Sequence, residues 1–143
     1  MGLRRNNLEH PCITLATENK EGVAFPCKDY IHNVLTLATD GFDEADDTAT
    51  VRVKISHSKT EPDWSADSSA DNRWTFAELI NQAVSSDTIA GITGVVLDSS
   101  SLPVLNYRIN TNAQVFINVS ITSYAGTTTT KTITALLSGY TND

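Results

Sequence analysis

The side chains able to do chemistry in this chain are few and scattered. Two cysteines, Cys12 and Cys27, and three histidines, His10, His32 and His57, are the metal-ligating and nucleophilic candidates. His10 and Cys12 form an H-x-C pair, and Cys27 and His32 a C-x4-H pair, so these four make a conceivable zinc set. A structural zinc site takes four ligands from recognisable clusters, and this spacing is not one of them. Two polar loop histidines and two small buried thiols are the simpler expectation. Cys27 with His32 lacks the third group that would make a nucleophile and base of them. With no reactive set, no cofactor and no enzymatic activity are expected.

Carboxylates are more concentrated. Asp40, Asp43, Glu44, Asp46 and Asp47 crowd the stretch "DGFDEADD" and could offer oxygen ligands to Ca²⁺. The alternating loop pattern of a dedicated calcium site is absent, so a solvated turn is expected, and no metal. No G-x-S-x-G elbow and no phosphate-binding glycine loop occurs. "NVS" at Asn118 matches a glycosylation sequon by chance. Two features suit contact with a partner. Trp64 sits in the acidic segment "SKTEPDWSADSSADNR", where it would either anchor an interface or fold back onto the body of the protein. Arg4 and Arg5 near the N-terminus could reach an acidic neighbour or lie in a frayed end.

The elements that must position these groups are strands. The chain has 143 residues, 40% of them apolar and 19% charged, with a net charge of −7, which fits one globular domain. An acidic chain (pI about 4.8) argues against nucleic-acid and anionic-membrane partners. No apolar run reaches the length of about 20 residues that spans a bilayer, and "MGLRRNNLEHPC" lacks the apolar core of a signal peptide. Synthesis in the cytoplasm, with free thiols rather than a Cys12–Cys27 bond, is therefore expected.

Residues 1–33, broken by Pro11 and Pro26, read as an extended arm or small hairpin, and residues 34–143 as the domain. "VLTLATD" and "TATVRVKIS" read as a strand pair joined by the acidic turn. In the second arm Val51, Val53 and Ile55 alternate with Arg52, Lys54 and Ser56, the period of a half-buried strand. "WTFAELINQA" has residues at helical spacing but lies in a β context and is assigned as a strand followed by a turn. Short strands then recur at "GITGVVLD", "VLNYRIN", "QVFINVSITSY" and "TKTITALLSG". This spacing predicts an all-β, antiparallel sandwich, jelly-roll-like, with an extended N-terminal arm. In "VFINVSITSYAGTTTTKTITALL" one face carries Val115, Ile117, Val119, Ile121, Ile133, Ala135 and Leu137. A one-residue slip would bury asparagine and serine instead. The stretch reads as a hairpin closing one sheet, with Gly126 at its tip and a Thr-rich face open to water or a neighbouring subunit.

The order "WTFAELIN", "GITGVV", "LNYRINTNAQVFINVSITSYAGTTTTKTITALL" resembles β-sandwich virion proteins of tailed double-stranded DNA bacteriophages over roughly residues 49–139. The matching phrase is Val119-Ser120-Ile121-Thr122-Ser123-Tyr124, followed by the Ala125–Thr130 turn and a Thr-rich strand. It is structural, so no functional residue is carried over. In a chain of this size the resemblance implies a capsid decoration (cement) protein that binds the outside of the mature head. It would contact the major capsid protein and self-associate as a trimer or dimer, with residues 1–33 lying across the shell. The alternative is a head-fibre or tail-associated module that grips a host glycan through Trp64 and its acidic loop.

Overall fold

The computed structural model describes residues 5–67, 73–83, 87–110 and 114–142. Its two antiparallel sheets pack face to face as a sandwich. The first sheet runs in the order β1 (Arg5–Ala16), β12 (Thr132–Asn142), β4 (His32–Asp40), β10 (Val104–Ile109), β7 (Leu79–Asn81), β8 (Thr88–Ile89). The second runs β2 (Lys20–Glu21), β11 (Phe116–Ala125), β5 (Thr48–Ser56), β6 (Thr75–Phe76). In it β3 (Phe25–Pro26) also pairs with β11, and β9 (Val95–Leu97) with β5. "WTFAELIN" is thus the strand pieces β6 and β7, as read from its β context.

The alternation expected of these strands is present. Leu35 and Leu37 of β4 and Ile133, Ala135 and Leu137 of β12 face Val51 and Val53 of β5 and Ile117, Val119 and Ile121 of β11, all of them buried. Removing a branched side chain of this size from water contributes about 1.5–3 kcal/mol, so the nine Val, Leu and Ile residues among them form the centre of the core.

Two pairings differ from expectation. β4 and β5 do not pair with each other; nor do β11 and β12. In each case one strand lies in each sheet, and the connecting segments 41–47 and 126–131 cross the edge of the sandwich. Alternation identifies the inward face of a strand, not its neighbour, and two strands that face each other across a core alternate like two that lie side by side.

The expected N-terminal arm is also corrected. β1 pairs with β12 at nine positions from Arg5↔Asn142 to Ala16↔Ile133, and β2 and β3 lie along β11. Pro11 reads as a break because it has no N–H, yet β1 is an edge strand of its sheet, where a proline is tolerated. Beyond it the register shifts twice. Ile13 and Ala16 are both buried although their partners Ala135 and Ile133 are only two apart. The extra residue is a β-bulge, and it puts Leu15 at φ +48°, left-handed backbone that leucine rarely adopts.

Candidate functional site

Polar and aromatic groups gather first on the outer face of the second sheet. Lys54, expected to face solvent, is buried because the segment after β5 folds back over it. Its ammonium donates to Glu21 Oε2 at 3.0 Å and to the Trp64 carbonyl at 2.7 Å, and lies 4.4 Å from the Trp74 ring centroid. Of the two positions open to Trp64, the structure has the one folded back. It is 7% exposed, and its Nε1 donates to Glu61 Oε1 at 2.9 Å. The ring is therefore not presented for stacking on a sugar. Asn118 joins this cluster, bonding Glu21 Oε1 at 3.4 Å and accepting from the Cys12 thiol at 3.2 Å. Being fully buried, it is no glycosylation site.

Burial raises the Glu21 carboxyl, with the Lys54 ammonium opposing the shift. Burial likewise pushes the Cys12 and Cys27 thiols up to about 12. Both cysteines are free and buried, so their nucleophilic thiolate forms are suppressed. His10 is not a ligand either: its Nε2 sits 2.7 Å from the Val23 carbonyl and its ring stacks on Phe25. No group of three metal-ligating side chains occurs among the described residues.

The acidic turn has a different role from the solvated one expected. Asp47 is buried and bonds across to the threonine turn of the other crossover. Its carboxylate accepts from the Thr128 hydroxyl at 2.5 Å, the Thr128 N–H at 3.0 Å and the Glu44 N–H at 2.9 Å, and pairs with Lys131 at 3.5 Å. Asp46 accepts from the Thr127 hydroxyl at 3.0 Å. Burial alone would raise the Asp47 carboxyl, but the Thr128 hydroxyl, the two N–H groups and the Lys131 ammonium together hold it well below the usual carboxylate range. Lys131 in turn donates to the Thr128 carbonyl at 3.0 Å and lies 4.4 Å from the Tyr124 ring centroid. Gly126, at φ +123°, lies so close that a Cβ would collide with the Asp47 carboxylate. The two crossovers lock each other.

The outer face of the first sheet is built differently. Its outward residues form three transverse rows. One row is Val104, Ala38 and Thr134, extended by Leu15, whose N–H donates to the Thr134 hydroxyl at 3.1 Å. The middle row is Asn106, Thr36, Leu136 and Pro11. The third is Arg108, Val34, Ser138 and Glu9. Leu15 is 63% and Val104 52% exposed. Beside Arg108, a shallow cleft of about 190 Å³ is lined by Ile80, Asn81 and Gln82.

A sandwich of this arrangement occurs in the SPBc2 prophage-derived protein YomS, whose crystal structure matches 96% of this chain and 96% of its own with a TM-score of 0.62 and 9% identity. The two proteins share a fold. No family model matches the chain, and no curated protein matches it in sequence.

Of the residues expected to contact a partner, Arg4 lies outside the described residues, Arg5 begins β1 and Trp64 is buried. The face made by Leu15, Val104, Arg108 and Glu9 is not evident in the sequence. Its signal is weak, because these residues come from distant segments and meet only through strand pairing.

Proposed function

We propose that this chain is a non-enzymatic structural protein of a tailed-phage virion, a capsid decoration protein that binds the major capsid protein on the outer surface of the mature head. The observation that carries this reading is the end-to-end likeness of its fold to a prophage-derived protein, joined to the resemblance of its sequence to β-sandwich virion proteins. The interior suits a scaffold: buried ion pairs and thiols are committed to internal bonds. With residues 5–33 built into the two sheets, the rigid body rather than a free arm makes the contact. Binding only the expanded lattice shifts the shell toward that state by mass action.

Sedimentation of the purified protein with expanded, undecorated capsids tests this, with unexpanded procapsids as the comparison. The protein is expected to pellet with expanded capsids only and to raise the temperature at which they release DNA. Its remaining in the supernatant with both would refute the proposal.

A further inference from the structure

We infer that the outer face of the first sheet is an interface between two copies of this chain, related by a two-fold axis that runs along the strands between β4 and β12. This does not depend on the virion role.

Three observations converge on that occupant. The first is charge. The chain carries a net charge of −7, so two copies repel wherever acidic surface meets acidic surface. Within the three rows of this face the charged residues are one cation and one anion, Arg108 and Glu9, which sum to zero. They stand at opposite ends of a single row, with Val34 and Ser138 between them. That spacing is three strand intervals, about 14 Å. A two-fold axis midway along the row brings Arg108 of each copy over Glu9 of the other, and the match is made twice because the contact is isologous.

The second observation is apolar. The same rotation brings Val104 of one copy over Leu15 of the other, again twice, with Ala38 over Thr134 between them. Both ends of the apolar row are more than half exposed. Charge and apolar rows thus satisfy the same symmetry operation, as a surface serving a differently shaped partner need not.

The third is strain. The β-bulge holds Leu15 in left-handed backbone, a conformation costly for a leucine, and leaves its side chain in water. Simple alternation from the buried Ile13 would have turned Leu15 inward; the bulge directs it to the outer face instead.

Four strands and three rows offer roughly 400 Å² per copy, below the ~800 Å² per partner of a standard stable interface. The dimer is therefore weak and concentration-dependent. Sedimentation equilibrium from about 5 μM to about 1 mM is expected to show a monomer passing to a dimer. Arg108→Glu alone and Glu9→Arg alone each set like charges face to face at both contacts, and each is expected to raise the dissociation constant about tenfold or more. The double variant Arg108→Glu/Glu9→Arg restores opposite pairs and is expected to return it to within about threefold of the original. All these positions are exposed strand residues, and thermal melts check that each variant folds. Leu15→Asn, compatible with the left-handed backbone, is expected to weaken the dimer independently of charge. A monomer at every concentration, a trimer, or a double variant no better than the singles would overturn the inference.

Discussion

Replacing Thr128 by valine removes one hydroxyl and leaves the side chain's shape intact. That hydroxyl donates to Asp47 Oδ2 at 2.5 Å, beside a buried carboxylate. A hydrogen bond to a charged group contributes about 1.5–3 kcal/mol. The Thr128 N–H, the Glu44 N–H and Lys131 remain on the carboxylate, so the loss should fall near the middle, about 2 kcal/mol. For a domain of this size that corresponds to a fall in Tm of about 7 °C. The neighbouring Thr129 and Thr130 are exposed, and valine there should change stability by no more than about 0.5 kcal/mol. Thermal and urea unfolding of the three variants, followed by far-UV circular dichroism, measures the contrast. The same reasoning assigns a pH signature. Asp47 titrates below its unfolded value of about 3.9, so its contribution is complete above that pH and is lost as the pH falls through the folded value. The difference between wild type and Thr128→Val should therefore be constant above about pH 4 and narrow only below it, as the pH falls toward the lowered folded value. Equal losses at Thr128 and Thr129, or a difference unchanged by acid, would refute the assignment of Asp47 as the lock between the crossovers.

Three further outcomes follow from the same geometry. Gly126→Ala places a Cβ against Asp47 at a φ that L-residues avoid; it should cost about 3 kcal/mol or more, read as a fall in the urea midpoint. Cys12 and Cys27, buried with thiols pushed up to about 12, should resist a thiol reagent at pH 8 in the native protein and react fully in denaturant; fast native labelling of either would contradict their burial. Lys54→Ala leaves Glu21 half-buried without its cation and the Trp64 carbonyl without its donor. It should destabilise the fold by about 2–4 kcal/mol and expose Trp64 to quenching by iodide.

What was legible in the sequence was the inward face of each long strand. Val51, Val53, Ile117, Val119, Ile121, Ile133, Ala135 and Leu137 follow the period of two and are all in the core. Lys54 follows the same period to the opposite face, yet it is buried because the segment carrying Trp64 packs on top of it. Nothing local to residues 51–56 encodes that cover. Leu15 fails in the opposite sense, since alternation turns it inward and the bulge turns it out.

The sequence by itself determined that this protein is a β-sandwich, because burying one face of a strand writes its period into consecutive residues. The tertiary structure alone decided which strands are neighbours, and with that the meaning of the two turns. Strand pairing and crossover are contacts between residues far apart in the chain. Asp47 and Thr128 stand 81 residues apart; the acidic turn and the run of threonines look like two solvated loops until the fold brings them together as one buried lock.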